Sequence, residues 1–374
     1  MSPATLASVG LLFAAVACGP GEARVPGQRP NIPQFTAGDS VVLNVPAVIA
    51  RAGHLLGVFE LNDSVIVVLS SAPGGVVPVR GNGVQMQPPA ALRTVRPAFA
   101  APCTQGGIVV VTQPDRQAIA IGSSGAVTPT LRVPASVGKI IGMQCESGRD
   151  LIALVDGTIP QSTGAALVRV GAALLRLSGE GRVDTLGAFP GRELLRLSAA
   201  DSGTEPPFAV TTRFAAGPTR IYLANTSEPT IQELQTNGRQ LTSFDIVRDR
   251  RRVTREQIDS ALSASLDPRL AALGSEARDA LAEAMAQDRL VPLWKALVID
   301  PDENIWVSSQ EPPDSDGDRL WMVYGTDGAR RARVFLPHDF EITQVGKDFV
   351  LGFYRYAPPA SASRRFGLRM LGSL

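Results

Sequence analysis

Lysine is almost missing from this chain: Lys139, Lys295 and Lys347 are its only lysines, so 33 of its 36 basic residues are arginine. Against 35 acidic residues this leaves a formal net charge of +1, which removes the broad basic footprint of a nucleic-acid binder. Histidine is scarcer still. His54 and His338 are the only two, and neither stands in a recognisable nucleophile–base–acid arrangement. The sequence contains no G-x-S-x-G, H-E-x-x-H, P-loop or G-x-G-x-x-G pattern, so no hydrolase elbow, zinc-protease helix or nucleotide cradle is written in it. Aromatic residues make up 5% of the chain, and none interleaves with the basic run Arg248, Arg250, Arg251, Arg252 and Arg255. That run alternates with Asp249 and reads as a solvated, ion-paired face. Trp294, Trp306 and Trp321 fall in one repeat and read as packing between blades, not as a sugar-stacking platform.

What is present is apolar and broken by turns. A hydrophobic fraction of 44% excludes a disordered chain. The 374 residues are enough for one large domain or two smaller ones. With 36 Gly and 29 Pro, short strands joined by turns are favoured over long helices. No segment approaches 18 consecutive apolar residues, the length of a membrane-spanning helix. The longest apolar run, LASVGLLFAAVA at 6–17, is followed at once by Cys18. It has the length of a signal-peptide core. With small residues before the cysteine it resembles a lipobox, in which Cys18 becomes the lipidated N-terminus. Ala15 stands where the lipobox usually has Leu, and the segment before the core carries no Lys or Arg. Ordinary secretory cleavage near Ala17, with Cys18 incidental, is the alternative. Residues 1–17 are thus expected to be a lipoprotein signal peptide. Residues 18–38, rich in Gly, Pro and Arg, are expected to be a flexible tether.

If Cys18 is lipidated, Cys103 and Cys145 remain, and two cysteines in an exported chain are expected to pair. Two free buried thiols are the other possibility. A metal site is disfavoured because no histidine lies near either cysteine.

Six β-rich runs recur: 64–70, 107–113, 150–156, 219–225, 304–310 and 348–354, with starts spaced by 43, 43, 69, 85 and 44 residues. Five turn dipeptides lie between strand-like runs: Asn82-Gly83, Ser124-Gly125, Glu180-Gly181, Asn237-Gly238 and Asp327-Gly328. Glycine there supplies the positive φ of a tight hairpin. After three of these turns a proline follows at a fixed offset (Pro134, Pro190 and Pro337) and is expected to end a strand. Four antiparallel strands in such a repeat make a propeller blade. The expected fold is therefore all-β, a six-bladed propeller of four-stranded antiparallel blades over residues 39–374. The last blade takes two strands (348–354 and 366–371) from the C-terminus and two from the N-terminal run 40–50. This closure leaves no open seam. The long interval before the fifth run holds a helical insertion at about 254–289. It opens with the Thr254/Gln257 capping box, carries Ile258, Leu262 and Leu266 at helical spacing, and continues in a second helix at about 275–288. It is expected to pack on one face or edge of the ring.

The segments 251–262, 293–310 and 334–354, with Asp300, Asn304, Trp306, Val307 and the Leu336-Pro337 step, are similar to the six-bladed β-propeller family of bacterial envelope and exported (lipo)proteins, loosely NHL-like. Glu303 replaces the family's usual glycine, a departure expected to alter turn geometry alone. The resemblance covers about 208–356. It implies the fold and export, and brings no shared catalytic residue.

Two acidic clusters are candidate cation sites. Asp300, Asp302 and Asn304 begin like a calcium loop, but Ile305 stands where such a loop needs glycine, so Asx turns are the better reading. Asp314, Asp316 and Asp318 lie in a loop and are weak metal candidates. No catalytic residue, cofactor or firm metal site is assigned. The functional expectation is a non-catalytic binding or scaffold module of the cell envelope, lipid-anchored, periplasm- or surface-facing and monomeric. Its partner is an envelope protein or a small ligand, it takes no nucleic acid, and it meets the membrane only through the N-terminal lipid. The alternative is a metal-dependent lactonase or sugar hydrolase built on a propeller. A third option is an envelope sensor whose insert docks a partner.

Overall fold

The structure is a computed structural model. It describes residues 32–43, 54–103, 106–146, 150–160, 166–196, 198, 203–246, 250–263, 270, 273–286, 289–310, 317–354 and 362–371. The leader, Cys18 and the tether up to residue 31 lie outside the described residues, as do Leu266, Asp314 and Asp316.

The fold is an all-β propeller of small antiparallel sheets. A three-stranded sheet holds β2 (Leu55–Asn62), β3 (Val65–Ser70) and β4 (Val76–Arg80). Three four-stranded sheets follow. The first holds β5 (Pro97–Pro102), β6 (Ile108–Thr112), β7 (Gln117–Ile121) and β8 (Val127–Arg132). The second holds β9 (Ile140–Cys145), β10 (Leu151–Asp156), β11 (Ala166–Leu177) and β12 (Val183–Arg196). The third holds β13 (Thr212–Ala216), β14 (Arg220–Asn225), β15 (Thr230–Gln235) and β16 (Gln240–Asp245). The last sheet has eight strands. In order these are β17 (Trp294–Ile299), β18 (Ile305–Ser309), β19 (Asp318–Tyr324), β20 (Arg330–Pro337), β1 (Gln34–Val42), β23 (Ser363–Leu371), β22 (Phe349–Tyr354) and β21 (Phe340–Val345).

Hydrogen bonding therefore gives five sheets where six blades were expected. The reason is local. β1 pairs antiparallel with β23 and also, over Gln34–Thr36, parallel with β20, which fuses two four-stranded groups into one sheet. The strand phase also differs from the sequence reading. Each of the six β-rich runs is the second strand of its group, and the strand before it is the innermost. The chain start consequently adds one strand to the closing group, not two. That strand begins at Gln34, inside the stretch read as tether.

The innermost strands β2, β5, β9, β13, β17 and β21 each touch two others of the set and close a ring. Six apolar clusters fill the spaces between neighbouring groups. The β6 strand shows why its run reads as continuously apolar. Ile108 and Val110 pack toward β3, whereas Val109 and Val111 pack toward β10. A strand buried on both faces has no polar side to alternate with. Trp294 packs between the β14 and β18 groups, and Trp306 and Trp321 pack against Phe340 and Val350, so all three tryptophans serve inter-sheet packing.

All five predicted turn glycines, Gly83, Gly125, Gly181, Gly238 and Gly328, have positive φ. The prolines behave less uniformly. β8 stops two residues before Pro134 and β20 ends at Pro337, but β12 runs through Pro190. This correction has a clear cause: β12 is an edge strand and Pro190 lies at a register shift opposite Gly171, where no ladder bond needs its missing N–H.

The insertion forms α1 (Arg255–Ser263) and α2 (Ser275–Ala286). The capping box is made in both directions. Gln257 N donates to Thr254 Oγ1 at 3.2 Å, and Thr254 N donates to Gln257 Oε1 at 3.0 Å. Ile258, Leu262, Ala282 and Met285 bury against Leu195 at the end of β12, with Phe208 alongside. Arg289 fixes the exit of the insertion by pairing with Glu193 at 2.6 Å. The insertion thus packs on the side of the ring where the innermost strands begin.

Candidate functional site

The inner strands run the same way round the ring, as their cross-links show. Arg213 Nε, at the second position of β13, donates to the carbonyl oxygen of Lys295, at the second position of β17 (3.2 Å). Thr343 Oγ1, at the fourth position of β21, donates to Val58 O at 2.6 Å and accepts from Val58 N at 3.0 Å, Val58 being fourth in β2. The starts of the strands therefore gather at one mouth of a central channel and their ends at the other.

This channel is a cavity of about 580 Å³ walled by all six inner strands, a volume suited to a small ligand. Its middle is apolar, with Leu56, Ile141, Phe214, Ala296, Val298 and Ile342 on the wall. The inner strands also carry Gln144, Thr343 and Gln344. At the mouth where the strands begin, Arg213, Lys295, Arg319 and Glu341 line the cavity, and Glu205 faces Arg213 at 3.9 Å. His338 lies beside this mouth. Burial pushes its imidazole below the ordinary value, the charge of Arg319 lowers it further, Asp339 opposes and Lys295 adds to the lowering.

This sets a pH dependence. Below its ordinary value of 6.5 the unfolded chain binds a proton at His338 that the folded chain resists, so folding stability rises with pH through that window. The contribution is complete above about 6.5 and is lost as pH falls toward the lowered folded value. NMR titration of the His338 ring, identified by loss of its signal in His338→Gln, is expected to give a midpoint below 6.5. A midpoint at or above that value would contradict the surroundings described.

At the opposite mouth the sequence-predicted cysteines meet. Cys103 and Cys145 form a disulfide, with Cα atoms 4.4 Å apart, at a parallel bridge joining the ends of β5 and β9. Asp300 also lies at this end, and its carboxylate is occupied by its own turn. Oδ1 accepts from Asp302 N (3.0 Å) and Asn304 N (2.8 Å), and Oδ2 accepts from Asn304 Nδ2 (3.0 Å) and Trp306 Nε1 (2.9 Å). That is a turn cap, as the Asx reading held. Glu303 has φ +60°, in the region that favours glycine. Its role exceeds the turn geometry foreseen, because its carboxylate accepts from Thr219 N (3.1 Å) and Thr219 Oγ1 (2.8 Å) and ties neighbouring groups of strands together.

Of the other candidates, His54 is exposed, and its backbone N donates to Ser71 Oγ at 2.9 Å. Arg255 pairs with Asp259 and Asp279 on a solvated face. Of the loop acids only Asp318 is described, at the start of β19. Among the described residues no three His, Cys, Asp or Glu side chains gather as metal ligands would, and no helix is long and apolar enough to cross a membrane. The sequence reading missed the mouth because its residues come from strands too short and mixed to register as repeats. TRFAA and WKALVI each precede a recognised run by a few residues, and that recurring short lead was the available signal.

No protein-family model matches the chain, and no curated protein matches it. Solved structures are similar in fold at low identity. Regucalcin, a calcium-binding protein from Agrobacterium tumefaciens, is 11% identical with a TM-score of 0.42, covering 91% of this chain and 97% of that one. A gluconolactonase from Xanthomonas campestris is 12% identical with a TM-score of 0.43, covering 89% and 98%. A member of the DUF4221 family from Bacteroides vulgatus is 8% identical with a TM-score of 0.48, covering 92% and 100%. At these values the likenesses carry no argument about what this chain does.

Proposed function

We propose that this chain is a non-catalytic binding module of the bacterial cell envelope, exported, anchored through lipid on Cys18, and holding its ligand in the central channel. The observation that carries the binding part is the channel itself: about 580 Å³, walled by six strands, with an apolar middle and a polar mouth. Export is supported by the leader at 6–17 and by the paired Cys103 and Cys145, since disulfides belong to oxidising compartments. The same reading counts six blades, taking the eight-stranded sheet as two blades joined along β1 and β20. The six inner strands and six inter-group clusters support that count.

The metal-dependent lactonase remains the rival. A cation held in the channel needs several oxygen ligands, and Glu341 is the carboxylate that the described inner strands bring to its wall. A screen of lactones and phosphoesters, run with added calcium, manganese or zinc, is expected to show no turnover above buffer. Turnover abolished by chelator would replace the binding reading with the hydrolase. In cells, Cys18→Ala is expected to move the protein from the membrane to the soluble fraction. An unchanged membrane fraction would remove the lipid anchor from the proposal.

A further inference from the structure

The chemistry of the ligand follows from how the channel is lined, and the inference rests on the binding reading above. Each inner strand puts an apolar side chain on the wall at its second or third position: Leu56, Phe99, Ile141, Phe214, Ala296 and Ile342. Each packs in part into the cluster beside it, and all but Ile342 are only half-buried. Together they make an apolar girdle around the cavity. Beyond it, at the fifth position of β9 and of β21, stand Gln144 and Gln344, both half-buried and both on the channel wall. These strands are third and sixth in the ring that starts at β2, so the two amides stand on opposite walls at nearly one level, about 7 Å past the girdle at two residues of rise. Gln344 Oε1 accepts from Glu60 N at 2.6 Å, which leaves its Nε2 as the donor for a ligand. The Gln144 amide has no hydrogen-bond partner among the described residues, and it offers both a donor and an acceptor.

The charged groups of the two mouths are already engaged. Arg213 is held by Lys295 O and Glu205, and Lys295, Arg319 and Glu341 each interact with another group of the protein. At the other mouth Asp300 caps its own turn and Glu303 holds Thr219. An ion that left water to enter the channel would meet the girdle without a counter-charge, which is costly.

We propose that the channel takes an uncharged amphiphile with an amide-like head. The head carbonyl accepts from Gln344 Nε2, its N–H donates to Gln144 Oε1, and the apolar body lies along the girdle. This assignment uses the glutamines as the neutral reading pair and the girdle as the surface that the tail covers.

The test uses octanamide, octanoate and octylammonium, which share a tail and differ in the head, titrated calorimetrically into the protein at neutral pH. Octanamide is expected to bind at least about tenfold more tightly than either ion, because only the ions bring an uncompensated charge. Gln144→Leu is expected to weaken octanamide about fivefold, the scale of one hydrogen bond. Ala296→Trp, which fills the girdle, is expected to abolish its binding. An unchanged melting temperature shows that the ring is intact in each variant. Tighter binding of either ion would overturn the proposal by showing a wall that reads charge, and equal affinities would overturn it by showing a wall that reads only the tail. Undiminished octanamide binding in folded Gln144→Leu, or binding that survives in folded Ala296→Trp, would overturn it as well. If an ion binds instead and Ala296→Trp abolishes that binding, the proposal fails while the channel remains the binding site. If none of the three binds, the proposal and the channel-binding reading fall together.

Discussion

Replacing Arg192 with Leu is expected to cost about 3–5 kcal/mol of folding stability, the range seen when one partner of a buried ion pair is removed. Arg192 lies on the edge strand β12 and reaches across β11 to Asp156 at the end of β10, with Nε donating to Oδ2 at 2.8 Å. Their side chains are only 15% and 7% exposed. Asp156 Oδ1 already lacks a partner among the described residues, so without Arg192 the carboxylate keeps its burial and loses its hydrogen-bonded ion pair, with the charge of Lys139 offsetting part of the loss. Arg192→Leu alone should therefore be far worse than Asp156→Leu with Arg192→Leu together, because the double change removes the stranded charge. Urea unfolding of the parent, the two single variants and the double variant measures this. A single variant within about 1 kcal/mol of the parent, the worth of an exposed pair, would mean the pair is solvated in solution.

How far the sequence revealed this molecule depended on whether a feature was local. The turn glycines were legible because a tight hairpin needs positive φ, and all five adopt it. The capping box was legible because Thr254 and Gln257 satisfy each other within one turn. The second strands were legible because burial on both faces writes an unbroken apolar run. The innermost strands were not. Thr212–Ala216 and Trp294–Ile299 pack into an apolar cluster on each face but carry Arg213 and Lys295 at the channel wall, so neither alternation nor continuity marks these short runs. Counting them as the last strand of the preceding repeat shifted the phase of every repeat and assigned the closing group one N-terminal strand too many. The parallel seam between β1 and β20 depends on residues about 300 apart in the chain, and no local pattern encodes it. The candidate site has the same origin. Arg213, Lys295 and Arg319 come from three strands and two groups, and in the sequence each alone is an ordinary cation.

The disulfide supplies the second large expected effect. Cys103 and Cys145 are 42 residues apart, and the loop they close contains β6, β7, β8 and β9, so the bond staples the end of one sheet's innermost strand to the end of the next one's. Constraining a loop of that length in the unfolded chain is worth about 4 kcal/mol in the chain-entropy model. The double variant Cys103→Ala with Cys145→Ala is expected to lose about that much. Alanine is the better replacement because Cys145 is fully buried among Leu151, Val111 and Met143, where a serine hydroxyl would add a desolvation cost unrelated to the cross-link. For a cooperative unit of this size, with unfolding entropy scaling by residue, the loss corresponds to a fall in Tm of about 6 °C. Calorimetry of the oxidised parent, the parent under reductant and the alanine pair separates the effects. Reduced parent and alanine pair should melt together, below the oxidised parent. If all three coincide, the ends of β5 and β9 are held together by the packing of the two sheets alone, and the bond adds nothing to the closure of the ring.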